Sequence, residues 1–117
     1  FRIVERETGQ VLVFTGDTGY FDGLADFAKG ADLFLADVYL YEGNENHQAH
    51  LTSKEAGQIA QQTGVKKLVL THVPPLPPQG IDPDRHLDIL REETQNFAGA
   101  IPVELAQPQK AWDLGAN

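Results

Sequence analysis

The alternation of hydrophobic and polar positions predicts short strands separated by helices. Residues 2–6 alternate, residues 8–10 form a turn signal and residues 11–14 are apolar, which together predict a β-hairpin. Residues 33–36 are a short apolar run of the kind that forms buried strands, and a second such strand is predicted at residues 67–71, which are apolar at 68–70. A last strand is predicted at residues 101–105. These patterns indicate one sheet of four or five strands.

Three helices are predicted from the residues at their boundaries. The first follows an N-cap at Asp22, and the second opens on the capping box TSKE at residues 52–55 and ends at Gly64. The third begins with Asp82 as N-cap and continues to about Phe97. Its predicted inward stripe consists of Leu87, Leu90, Thr94 and Phe97. The resulting order, β-β-α-β-loop-α-β-α-β, predicts an α/β fold.

The strands are apolar at successive positions, which predicts that both faces of the sheet are buried. Three helices can cover one face of a sheet of this size. We therefore expect one mixed sheet with helices on one face, and a partner sheet on the other.

Composition narrows the classes of function. A chain of 117 residues fits one domain, and it has no apolar run of the roughly 18 residues that a membrane span requires. Cysteine is absent, so any metal must be held by His and carboxylate, and a cytoplasmic location is the expectation. The net charge of −8 disfavours binding to a phosphate backbone through this chain's own surface.

Two residues with metal-binding side chains follow predicted strands. Asp17 lies in the sequence TGDTG after residues 11–14, and His72 follows residues 67–71 and precedes a proline-rich loop. Ligands of open α/β sheets bind at the carboxyl ends of strands, so both residues are candidate metal ligands. The alternatives are a turn residue for Asp17 and a strand-end histidine bonded to a carbonyl for His72.

His50 precedes the capping box, at the electropositive amino end of a predicted helix. We expect it to act as a proton donor or to stabilise an oxyanion, and the alternative is an exposed loop histidine. Asp37 follows the apolar run 33–36, and Thr18 follows Asp17. Both are expected to contact the residues that bind the metal rather than the metal itself.

Three blocks carry a family resemblance: residues 14–18 (FTGDT), 49–56 (AHLTSKEA) and 68–73 (LVLTHV). In this order and spacing they resemble the carboxyl-terminal half of metallo-β-lactamase-fold hydrolases, over about residues 2–105. The middle block is similar to the ribonuclease Z branch and its phosphodiesterase relatives. The resemblance implies an αββα sandwich of two similar halves, of which residues 1–117 would be the carboxyl-terminal half, a single domain in this chain.

The resemblance also implies a site. Asp17 would be the metal-bridging aspartate, His72 the last histidine ligand, and His50 the catalytic histidine near the scissile group. The implied cofactors are two divalent metal ions, with zinc expected and manganese or iron acceptable to the same ligands. The implied reaction is hydrolysis of a phosphodiester or related ester by a metal-bridging hydroxide.

Two departures from the family pattern modify these expectations. The His-x-His-x-Asp-His signature is absent from the chain, so the ligand set is incomplete and the chain alone is expected to be inactive. Ribonuclease Z relatives often carry a Glu after the third strand, whereas this chain has Ala36-Asp37-Val38-Tyr39. That difference weakens an assignment to transfer-RNA processing.

Two protein partners are expected: an amino-terminal half of the same fold, and a second copy of the chain in a homodimer. The expected substrate is a small phosphodiester or ester, and a nucleic-acid substrate is left open. No membrane partner is expected. A rival hypothesis comes from another class: a non-catalytic α/β interaction module that forms homodimers through an exposed sheet face. Under it, Asp17 and His72 are only polar groups at strand ends.

Overall fold

The computed structural model describes residues 2–16, 19–39, 43, 45, 50–71, 73 and 79–106, together with the backbone of Leu40. Within these residues the elements follow the order β1 (Arg2–Val4), β2 (Val11–Phe14), α1 (Leu24–Ala28), β3 (Leu33–Leu40), β4 (Leu51–Thr52), α2 (Ser53–Thr63), β5 (Leu68–Thr71), α3 (His86–Ala98) and β6 (Val103–Leu105). In this described part of the chain, no helix is both long and apolar enough to cross a bilayer.

The strands form one mixed sheet in the order β1-β2-β3-β5-β6, with β4 paired to β3. Strand β1 is antiparallel to β2, and the remaining pairs are parallel. The carboxyl ends of β2, β3 and β5 therefore meet at one edge of the sheet. The predicted α/β fold with one mixed sheet is confirmed.

The main core lies between this sheet and the helices. Its strand residues alternate with those of the opposite face, as in Val13, Phe34 and Leu70, and its helix residues include Ile59 and Leu90. Leu33 and Val69 lie on the opposite face, because each is one residue away from a core position, and both are buried, at 6% and 0% exposed. The predicted burial on both faces holds for these two residues.

Helix α2 begins and ends as its sequence predicts. The Thr52 hydroxyl accepts a hydrogen bond from the Glu55 amide, and the Glu55 carboxylate accepts one from the Thr52 amide, at 3.1 and 3.0 Å. Gly64 ends the helix in the left-handed conformation, with φ of 67°. The capping box leaves the amino end of α2 well defined, immediately after β4.

The predicted N-caps of the other two helices are wrong. Helix α1 begins at Leu24, one residue later than an Asp22 cap requires, and it has no side-chain cap. Helix α3 begins at His86, because the Asp82 carboxylate and carbonyl accept hydrogen bonds from the amides of Asp84 and Arg85. These bonds close a separate turn before the helix.

Helix α3 also buries a different stripe from the one predicted. Its buried residues are His86, Leu90, Thr94 and Ala98. Leu87 and Phe97, predicted to face inward, are only half-buried. The i, i+4 spacing of the observed stripe turns the helix slightly relative to the prediction, and it brings a histidine into the interior.

Candidate active site

Strand β3 carries two polar side chains on one face near its carboxyl end. The strand continues to Leu40, beyond the predicted end at residue 36, so that Asp37 and Tyr39 lie within it. Residues i and i+2 of a strand point to the same face. Asp37 therefore lies inside the strand rather than after it, and its side chain is almost fully buried, at 1% exposed.

Both neighbouring strands contribute to the surroundings of Asp37. The Asp37 amide donates to the Thr15 hydroxyl at 2.9 Å, and the Thr15 amide donates to the Leu35 carbonyl at 3.0 Å. On the other side, Asp37 is in register with Thr71 of β5. Asp37 is thus held between the end of β2 and the end of β5.

The two predicted metal ligands, Asp17 and His72, lie outside the described residues, as does Thr18. Their neighbours in sequence are described: Thr15 lies two residues before Asp17, and Thr71 lies immediately before His72. The chain therefore leads into both candidate ligands from the two strand ends that flank Asp37.

His50 meets Asp37 at this edge of the sheet. Its Nδ1 atom lies 3.2 Å from the Asp37 Oδ2 atom, and its side chain is 21% exposed. When the Asp37 carboxylate is ionised it can only accept hydrogen bonds, and the Nδ1 atom is then the donor in this contact. In the neutral ring the Nε2 atom is then the nitrogen that carries no proton.

Backbone structure fixes where His50 stands. The next residue, Leu51, pairs with Val38 through β4, and Thr52 is the N-cap of α2. His50 therefore stands directly before two constrained residues. The helix beyond it presents its electropositive end, as the sequence predicted.

Tyr39 is the residue of this edge that sequence reasoning missed. Its ring stacks on the His50 imidazole with centroids 4.8 Å apart and an angle of 27° between the planes. The signal in the sequence was the spacing of Asp37 and Tyr39, two residues apart in a strand-like alternation. The edge thus combines a carboxylate, an imidazole and an aromatic ring.

The metal-binding capacity of the described residues is limited. No group of three or more His, Cys, Asp or Glu side chains among them could hold a metal ion. A zinc site generally takes at least three protein ligands. Asp37 and His50 are already engaged with each other, so a metal site at this edge would need further donors, among which Asp17 and His72 are of suitable chemistry.

The family model described as the beta-lactamase superfamily domain matches residues 1–73. The chain belongs to the beta-lactamase superfamily. Both blocks with the predicted Asp17 and His72 fall in the matched region, which also contains the Asp37–His50 contact.

Individual relatives agree with this assignment. The chain is 40% identical over 115 residues to a ribonuclease Z from Brevibacillus brevis, covering 96% of this chain and 34% of the relative. It is 34% identical over 110 residues to the uncharacterised protein ML1173 of Mycobacterium leprae, covering 93% of this chain and 36% of that protein. The chain thus spans about a third of the length of these curated relatives.

A solved structure gives the same fold. The metallo-beta-lactamase fold protein YhfI of Bacillus subtilis superposes with a TM-score of 0.78 and 29% identity, over 95% of this chain and 42% of that one. The resemblance to metallo-β-lactamase-fold proteins of the ribonuclease Z type, inferred from three short blocks, is confirmed by these relatives.

Proposed function

We propose that this chain supplies part of the active site of a metal-dependent hydrolase that cleaves phosphodiesters or related esters. His50 is the catalytic residue in this proposal, and Asp37 orients it. Asp17 and His72 are metal ligands, and Thr18 supports Asp17. The remaining ligands come from an amino-terminal half of the same fold, with residues 1–117 forming the carboxyl-terminal half.

One observation carries the proposal: the hydrogen bond between His50 and the buried Asp37 lies at the carboxyl edge of three parallel strands. The chain continues from the two flanking strands into Asp17 and His72. A buried carboxylate bonded to a partly exposed imidazole is a common arrangement for a general acid or base. Its position agrees with the rule that α/β sheets bind ligands at this edge.

The residues of this chain would act as follows. Asp37 accepts from the Nδ1 atom of His50 and so holds that atom in place. The Nε2 atom, on the opposite side of the ring, takes up a proton from water and passes it to the leaving oxygen of the substrate, which returns the ring to its neutral form. Asp37 lies in β3, and His50 immediately precedes β4, which pairs with β3, so the strand pairing constrains the geometry of this transfer.

The cofactors are two divalent metal ions, zinc first among them, and manganese or iron accept the same ligands. When bound, such ions act as Lewis acids that activate water and neutralise developing charge on a phosphoryl group. Carboxylate and imidazole, the donors of Asp17 and His72, suit these ions.

The substrate is proposed to be a small phosphodiester or ester. Two relatives are ribonucleases by name, the ribonuclease Z of Brevibacillus brevis and ribonuclease BN of Escherichia coli. The net charge of −8 disfavours binding of a long phosphate backbone by this chain. A nucleic-acid substrate would thus require basic residues supplied by another part of the assembly, such as a second subunit of a homodimer.

The first test measures metal binding. The isolated chain and the chain joined to its amino-terminal half are dialysed against zinc, and bound metal is measured by mass spectrometry. We expect tight binding only in the joined protein, and its loss in His72→Ala with the circular dichroism spectrum unchanged. Tight binding of two equivalents by the isolated chain would contradict the shared site.

The second test measures hydrolysis of bis(4-nitrophenyl) phosphate by the joined, metal-loaded protein. We expect His50→Gln to lower kcat by about 100-fold or more, as for loss of a general acid, with metal content unchanged. His47→Gln, three residues earlier, is the matched control.

If His72→Ala changes neither metal content nor self-association, the rival hypothesis of a non-catalytic homodimerisation module is favoured.

A further inference from the structure

The aromatic ring of Tyr39 makes a contact that the proposed reaction does not by itself require. It stacks on His50, which the carboxylate of Asp37 already binds from another direction. The centroid distance of 4.8 Å falls within the range in which aromatic pairs attract each other. Tyr39 is itself only half-buried, so the ring is not simply a member of the main core.

The two contacts restrain different motions of the imidazole. A single hydrogen bond from the Nδ1 atom fixes one direction, but it permits the ring to rotate about the line to the Asp37 oxygen. A ring stacked at 27° fixes the plane. Together they determine where the Nε2 atom points, which neither contact achieves alone.

Both restraints come from the same short segment of β3. Asp37 and Tyr39 are two residues apart and share a face, so their relative position is set by the strand rather than by a loop. A side chain held by two groups from one paired strand requires no further ordering when substrate binds. Such preorganisation is a main source of catalytic rate.

We propose that Tyr39 is a positioning residue that holds the plane of the His50 ring while Asp37 holds its Nδ1 atom. The catalytic role of this positioning rests on the function proposed above, whereas the orientation itself does not. The aromatic ring of Tyr39, and not its hydroxyl group, makes the contact with His50. Phenylalanine should therefore replace Tyr39 without loss of positioning, and an aliphatic residue should not.

Nuclear magnetic resonance of the 117-residue chain tests the orientation without any activity. Long-range proton–nitrogen spectra of the histidine rings report which nitrogen carries the proton, and His50→Gln assigns the signals. In the wild type and in Tyr39→Phe we expect one tautomer, protonated at Nδ1. In Tyr39→Ile we expect the same tautomer, because Asp37 still binds the Nδ1 atom, but lower carbon–proton order parameters for the His50 ring than in the wild type and Tyr39→Phe, because the plane of the ring is no longer held.

The control is Phe27→Leu, which removes an exposed aromatic ring from α1 and should leave the His50 signals unchanged. If the amide spectrum shows that Tyr39→Ile is unfolded, Tyr39→Leu replaces it. Wild-type order parameters for the His50 ring in a folded aliphatic variant would overturn the proposal.

Kinetics of the joined, metal-loaded protein test the consequence. Loss of an aromatic contact should lower kcat for bis(4-nitrophenyl) phosphate by about three- to tenfold in Tyr39→Ile. We expect KM within about twofold of the wild type and full activity in Tyr39→Phe. A displaced His50 ring with unchanged kcat would overturn the positioning role. If the wild type itself has no activity, the proposed function fails, and the spectra alone still decide the orientation.

Discussion

Substitution of Gly57 by alanine should destabilise the protein, because α2 and α3 cross at this residue with no room for a methyl group. A Cβ atom there would lie 2.6 Å from the Phe97 Cβ atom, 2.7 Å from the Thr94 carbonyl oxygen and 3.1 Å from the Ala98 amide nitrogen. Ordinary contacts between such atoms are about 3.5–4.0 Å. Two of the three atoms are backbone, so no change of rotamer relieves the overlap.

The expected magnitude combines two opposing effects. Overpacking costs about 1–3 kcal/mol, and backbone atoms put this site at the upper end. Alanine is favoured over glycine inside a helix by about 1 kcal/mol. We therefore expect Gly57→Ala to lower the free energy of unfolding by about 2 kcal/mol. For a chain of this size that corresponds to a fall in Tm of about 8 °C.

Urea denaturation followed by circular dichroism measures this change. Gly23→Ala is the matched control, because its Cβ atom would meet only the Phe21 ring, at 3.6 Å, and its φ of −83° suits any residue. We expect the control to stay within about 0.5 kcal/mol of the wild type. Equal stabilities of the two variants would refute the close approach of α2 to α3.

Two further predictions concern side chains that join elements. Thr52→Ala should cost about 1 kcal/mol in urea denaturation, because the Glu55 amide loses its acceptor, whereas Thr52→Ser should retain most of that stability. The pKa of Asp32 is lowered from 3.8, first by the hydrogen bond from Lys66 and then by that from the Val11 amide, so its carboxylate stabilises the fold above pH 3.8. That contribution should disappear as the pH falls through the lowered pKa. The free energies of unfolding of the wild type and Asp32→Asn, measured by urea denaturation, should therefore differ at pH 6 and converge in stronger acid. A difference that stays constant with pH would contradict this prediction.

Local signals explain what the sequence predicted well. The capping box at Thr52 and Glu55 and the helix stop at Gly64 each act within a few residues, and both predictions were correct. The N-cap assigned to Asp82 failed although its signal is also local. The same carboxylate could close a turn, and hydrogen bonds to Asp84 and Arg85 stabilised that alternative.

The candidate site was only partly predictable, for a different reason. His50 and Asp37 were each identified, but their contact joins residues 13 positions apart in the sequence. No local pattern determines such a contact. Tyr39 was missed because β3 was ended at residue 36, where the apolar run stops, although the strand continues with alternating residues to Leu40.

Strand β3 is tied to its neighbours by an aspartate near each of its ends. At the amino end, the Asp32 carboxylate accepts from the Val11 amide at 2.7 Å and pairs with Lys66 at 2.8 Å. Near the other end, Asp37 contacts Thr15 and His50. Sliding β3 by a single residue would break both attachments and exchange its two faces. Evolutionary change in substrate preference should therefore accumulate in the connections after the strands, while β3 keeps its register with the neighbouring strands.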